Sequence, residues 1–121
     1  MLLNRPDVRD SAIMVVVNRQ LGKPGKETPY DAARFAWRVD RRKAEGRIIL
    51  VSYYRTIIEV LIADEWLPAT REHFPEFTDE LTSDRSGFVG GLADDETRRY
   101  YIGRRTGDDI RMYGGGVRYL P

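Results

Sequence analysis

The chain has 121 residues, 41% of them hydrophobic and 32% charged, with a formal net charge of +1. That is enough chain for one domain to bury most of its apolar surface without covalent staples. It has no cysteine and one histidine, His73, which excludes a disulfide framework, a thiolate metal site and a His-rich zinc or iron site.

The small net charge hides an uneven distribution. Residues 1–60 carry an excess of +5 and residues 61–121 an excess of −4. Arginine greatly outnumbers lysine, and arginine suits bidentate contact with phosphate or carboxylate and stacking on flat rings. The codon usage of a GC-rich genome produces the same bias. The start, Met1 to Pro6, is too short and too soon charged for a signal peptide. No apolar run approaches the roughly 20 residues that span a bilayer, so no membrane partner is expected and the cytoplasm is the expected compartment.

In chain order, residues 1–11 read as a loose N-terminal arm of a single domain over 1–121. Ala12 to Val17 is an apolar run without alternation, which predicts a central strand. Asn18 to Lys26, with Gly22, Pro24 and Gly25, reads as a flexible basic loop. Thr28-Pro29-Tyr30-Asp31 is a helix start, with Thr28 as cap, Pro29 in the first helical position and Asp31 favoured by the dipole. Tyr30, Ala33 and Trp37 then recur at one helical face, and Arg34 and Arg38 lie four apart on a neighbouring one.

A basic loop follows. From Arg34 to Arg47 six basic residues face two acids, a local excess of +4. Ile48 to Tyr53 predicts a strand buried on both sides. Ile57 to Ile62 predicts its antiparallel partner, because the gap is too short for a parallel crossover. The Tyr54-Arg55-Thr56 link lacks the glycine or asparagine that a tight primed turn favours, so its turn type stays open.

Trp66 reads as an aromatic anchor. Asp64 to Asp84 holds seven acids and one arginine, an irregular excursion with Phe74 and Phe77 as tethers. Gly87 to Leu92 predicts a strand whose glycines signal a bulge or close backbone approach. Asp94 caps a predicted helix over 95–101, and Gly103 is placed to end it in a left-handed conformation. Gly114-Gly115-Gly116 reads as a hinge before a last strand, Val117 to Leu120. The expected fold is α+β: a small curled sheet or partly open β-barrel of about five strands with two or three short helices.

Catalytic signatures are sparse. There is no nucleophile elbow and no phosphate-cradling Gly-Lys-Ser/Thr loop. Gly87-Phe88-Val89 and, eleven residues on, Tyr101-Ile102-Gly103 have the core spacing of GIY-YIG nucleases, but no glutamate occurs after Gly103 to serve as their metal ligand. Asp94, Asp95 and Glu96 are accounted for as a helix start. No catalytic residue, metal ligand or cofactor is therefore assigned, and enzymatic activity is left open behind a binding role. The remaining constellation pairs arginines with aromatic rings: Tyr30, Arg34, Trp37, Arg38, Arg41 and Arg42, with Arg104, Arg105, Arg118 and Tyr119 as further candidates. Guanidinium groups neutralise phosphates and aromatic faces stack unpaired bases, which makes these six the candidate nucleic-acid-binding residues. Trp37 and Trp66 also read as core residues.

Tyr30-x3-Arg34-x2-Trp37, Arg41-Arg42-x-Ala44, the hairpin to Glu59-Val60, Trp66-x-Pro68-Ala69 and Tyr101-Ile102-Gly103-Arg104-Arg105 together resemble a widespread uncharacterised bacterial family. Its members run Y-x-A-T-R-x-x-W … W-Y-P-A … Y-V-G-K, and the likeness covers about Ile13 to Tyr119. Ala33 replaces the family's threonine, and Tyr54-Arg55 replaces its hairpin glycine. More distantly, the order strand, helix, basic loop, hairpin is similar to PUA-like domains, the group that includes the ASCH, EVE and YTH modules. That resemblance implies a cleft that reads RNA or a modified base, with a single-stranded or modified nucleic acid as partner. Two alternatives stand beside it. One is a protein-interaction or structural module forming a homo-oligomer, in the simplest case a homodimer. The other is a hydrolase or nuclease without a recognised signature.

Overall fold

The computed structural model describes residues 1–77, 84–110 and 116–120. Among them the elements are β1 (Leu2–Leu3), β2 (Ala12–Val16), α1 (Pro29–Ala33), α2 (Arg41–Ala44), β3 (Ile48–Tyr53), β4 (Thr56–Pro68), β5 (Ser86–Leu92), α3 (Asp95–Tyr101), β6 (Arg105–Thr106) and β7 (Val117–Leu120), with a 3-10 turn at Arg5–Asp7. The fold is α+β and mostly sheet. The strand order is β1-β6-β4-β3-β2-β7, with β5 also paired to β4, and the sheet is not closed into a barrel.

The unbroken apolar runs of β2 and β3 are explained by burial on both faces. Met14 and Leu50 point into one core with Leu3, Val60 and Tyr101, beneath α3. Ile13, Val15, Ile49 and Val51 point into the other, with Trp37, Leu61 and Phe88. β2 and β3 run parallel, Ala12 opposite Ile48 through Val16 opposite Ser52. A parallel pair needs a long crossover, and the segment carrying α1 and α2 supplies it. β7 closes the other side of β2, antiparallel.

β4 bends the sheet. Its first half pairs with β3 and its second half with β5, with a shift of register between Ala63 and Glu65. Gly90 sits at that shift: a Cβ there would lie 1.9 Å from the Ile62 carbonyl oxygen, so only glycine lets the strands approach. A third small core of Phe35, Ala69, Phe74 and Phe77 anchors the chain beyond β4.

Several expectations are corrected. The sheet has seven strands among the described residues rather than about five. Residues 1–11 are anchored, not loose: Leu2 and Leu3 pair with Arg105 and Thr106, and Leu3 is fully buried. The first helix ends at Ala33, with Arg34 as its C-cap, so Arg34 and Arg38 share no helical face. The basic loop contains one helical turn, α2, capped by the Asp40 carboxylate on the Arg42 and Lys43 amides. The Asn18–Lys26 loop is tied down by its own backbone hydrogen bonds, and Lys26 is 3% exposed with its ammonium donating to Gln20 at 2.9 Å. Of the glycine hinge, Gly114 and Gly115 lie outside the described residues.

The β3–β4 link is a two-residue turn with Tyr54 at φ 45° and Arg55 at φ 68°. Both central residues are left-handed, as a type I′ turn requires, though neither is the glycine or asparagine that adopts this easily. Each costs about 1–2 kcal/mol relative to glycine. The Arg55 carbonyl accepts from the Thr106 amide at 2.8 Å and the Tyr54 amide donates to the Asn18 side chain at 2.7 Å, so tertiary contacts hold the turn.

The α3 side of the sheet carries a buried phenol. The Tyr101 hydroxyl donates to Asp10 at 2.6 Å and accepts from the Arg9 amide at 3.0 Å. Burial, then the bond to Asp10, pushes its pKa up from 10.0 to about 12. The folded chain therefore holds this proton more tightly than the unfolded chain does. The resulting stability is complete below pH 10 and is lost as the pH rises toward 12. Because the bond to Asp10 is only partly buried, denaturant titrations between these limits are expected to show a loss of about 1–2 kcal/mol, and Tyr101→Phe should flatten that alkaline slope.

Candidate nucleic-acid interface

Two clefts flank the crossover, and their walls differ in charge. One lies between α2 and β4, with a volume of about 230 Å³; Arg41 and Arg42 line it together with Glu45, Asp64 and Glu65. Three carboxylates against two guanidinium groups make a poor anion site. The other lies where the chain leaves β2, with a volume of about 440 Å³, within the range usual for ligand sites. Asn18, Arg19 and Gln20 form one wall; Ala36, Trp37 and Arg85 form the other. No carboxylate lines it among the described residues.

The local structure explains this wall. Val17 donates to the Ser52 carbonyl at 2.9 Å, and the chain then turns, with the Gln20 and Leu21 amides both returning to the Val17 carbonyl. That turn leaves Arg19 exposed at the carboxyl end of β2, beside its parallel neighbour β3. Openings beyond the carboxyl ends of parallel strands are where open sheets bind ligands. Arg19 makes no ion pair or side-chain hydrogen bond among the described residues. Arg85 is half-buried, and its guanidinium Nη1 donates to the Ala36 carbonyl at 3.2 Å. Gly116, at φ 73°, lies against the indole: a Cβ there would come within 3.1 Å of Trp37.

The six arginine and aromatic residues expected to act together are not brought onto one surface. Trp37 lines the larger cleft but is only 6% exposed, with its Nε1 donating to the Ala33 carbonyl. Its ring is a floor rather than an open stacking face. Tyr30 packs edge-on against Phe88, and its hydroxyl accepts from the Gly90 amide at 3.0 Å. Arg34 is 12% exposed, bonded to Asp31 at 2.9 Å and Glu76 at 2.6 Å, with its guanidinium 4.7 Å from the Phe77 ring centre. Burial lowers the Arg34 pKa, but the two carboxylates outweigh it and the net shift is upward. Arg38 pairs with Asp84 at 3.4 Å near the surface. Arg41 donates to the Ser86 hydroxyl at 3.1 Å, and Arg42 stands with it in the smaller, mixed-charge cleft.

Three of the further candidates are similarly occupied: Arg104 stacks on Tyr100, Arg118 is not free, and Tyr119 accepts from the Asp40 amide beneath the Lys43 ammonium. Arg105 is exposed in β6 and lines neither cleft. Reading the sequence missed Asn18, Arg19, Gln20 and Arg85. The available signal was three consecutive polar residues directly after a buried strand. Among the described residues no cluster of His, Asp or Glu is arranged to hold a metal ion, and no helix is long and apolar enough to cross a membrane.

The Arg34 node is internal, so its loss should be read in stability. Arg34→Ala is expected to lower the free energy of unfolding by about 2 kcal/mol, because Asp31 and Glu76 lose a shared, mostly buried cation. Urea unfolding monitored by circular dichroism measures this. A matching change at Arg38, whose pair is solvated, should cost no more than about 0.5 kcal/mol. No protein-family model, curated protein or solved structure matches this chain.

Proposed function

We propose that this protein is a nucleic-acid-binding module of PUA-like type that holds an unpaired or modified nucleotide in the cleft beside Trp37. The observation that carries the reading is the cleft wall: Arg19 and Arg85 with two side-chain amides, and no described carboxylate. Guanidinium groups supply phosphate contacts whose formation releases counterions. The carbonyl oxygens of the Asn18 and Gln20 side chains already accept from the Tyr54 amide and the Lys26 ammonium, so their NH2 groups supply donors suited to base edges exposed in a single strand. The Trp37 edge and Ala36 give the apolar contact that a ring entering the cleft would displace water from. The order strand, helix, basic turn, hairpin is the one on which the PUA-like resemblance rests, and it persists with α2 in place of the basic loop.

The cations assigned here differ from those the sequence pointed to. Arg34 and Arg38 already neutralise carboxylates of the chain, whereas Arg19 is unengaged among the described residues. Binding of fluorescein-labelled single-stranded oligouridylate, followed by anisotropy across a salt series, tests the assignment. Two phosphate contacts give a slope of log K on log salt of about −1.4, and Arg19→Ala or Arg85→Ala should each reduce its magnitude by about 0.7. Arg41→Ala with Arg42→Ala should leave the affinity within about three-fold, since a charge outside the site acts only through screened long-range attraction. Absence of binding, or loss of binding only in the Arg41/Arg42 variant, overturns the reading.

A further inference from the structure

The β3–β4 turn places an aromatic residue where the backbone disfavours one. Tyr54 is left-handed, yet the residue is 64% exposed and its only described ring partner is Tyr53, edge-on at 4.7 Å. The neighbouring left-handed residue has a structural purpose: the Arg55 guanidinium donates to the Thr106 carbonyl at 2.9 Å and to Asp108 at 3.2 Å, and so binds the turn to β6. Tyr54 has no such purpose in its side chain. Its backbone amide, however, donates to Asn18 at 2.7 Å, and Asn18 lines the candidate cleft.

These observations converge on a missing part of the site. The cleft offers cations, amides and the edge of one indole, but Trp37 is too deeply packed to present a stacking face. Tyr54, an exposed residue whose backbone amide bonds the cleft-wall residue Asn18 and whose ring is braced edge-on by Tyr53, meets that need. Strained backbone persists where surrounding contacts over-determine it, and it concentrates at binding sites. We infer that Tyr54 is the stacking platform of the site, packing its ring face on the base of the nucleotide held beside Arg19, with Asn18 coupling turn and cleft. This rests on the nucleotide-binding reading and adds a residue to it.

The test compares wild type with Tyr54→Gly, Tyr54→Asn and Tyr54→Phe, in thermal unfolding and in oligouridylate anisotropy. Glycine and asparagine suit the left-handed turn, so both variants should unfold at a higher temperature than wild type. Both should bind at least about ten-fold more weakly, because stacking on the base is lost. Tyr54→Phe keeps the ring and should stay within about three-fold of wild type. Tyr54→Gly and Tyr54→Asn binding as tightly as wild type would remove Tyr54 from the site while leaving the cleft assignment in place. Equal loss in Tyr54→Phe and Tyr54→Gly would assign the effect to the hydroxyl and refute stacking. If wild type itself fails to bind, the nucleotide reading falls and this inference with it.

Discussion

The parallel pairing of β2 with β3 is the constraint from which the rest follows. Two strands that run the same way cannot be joined by a turn, so the chain must leave the sheet after Val16 and return at Ile48 from the opposite end. That excursion covers one face of the sheet with α1, α2 and the Trp37 indole. Its first residues after β2 open outward, and Arg19 stands there because the turn after Val17 points it away from the core. The cleft is therefore a product of topology: its near wall is the exit from β2 and its far wall is the segment that follows α1.

The arginine excess is largely spent inside the molecule. Arg34 is held between two carboxylates and two aromatic rings, Arg98 forks onto Glu59 through Nε at 2.8 Å and Nη2 at 3.2 Å, and Arg47 donates to the Ala12 and Leu120 carbonyls. A guanidinium is planar, carries five donors and is weakly hydrated compared with an ammonium, so it tolerates such half-buried positions. Arg47 joins three strands by reaching backbone acceptors near the ends of β2 and β7. A count of local charge treats every one of these groups as available to a partner. Side chains committed in this way are not available to a partner.

Elements governed by local signals were legible. β3 was read with its observed bounds, and α3 over 95–101 with its Asp94 cap, because a continuous β-branched run and an N-capped charge-ordered helix need nothing distant to form. The Thr28 cap was equally clear, with its hydroxyl accepting from the Asp31 amide. The end of α1 was not. The pattern Tyr30, Ala33, Trp37 does put all three in one core, but the chain reaches Trp37 by pairing with Ser86 rather than by another helical turn. β1 and the full length of β4 were missed for the same reason, since both depend on partners far along the chain. At the site, Trp37 was legible as a residue of interest, whereas Arg19 and Arg85, sixty-six positions apart, meet only because Trp37 pairs with Ser86.

The pairing of Trp37 with Ser86 has a consequence for the molecule's behaviour among its own kind. β5 hydrogen-bonds to β4 on one side, and on the other its Ser86 and Phe88 amides are taken by the Trp37 and Arg34 carbonyls and its Gly90 amide by the Tyr30 hydroxyl. A strand with a free margin invites a foreign strand to continue the sheet, and glycine-rich segments such as Gly87 to Gly91 have few side chains to discourage it. Here the end of α1 and the residues after it act as a fitted hem along that margin. What looks like a prematurely ended helix thereby occupies the amides that a foreign strand would use.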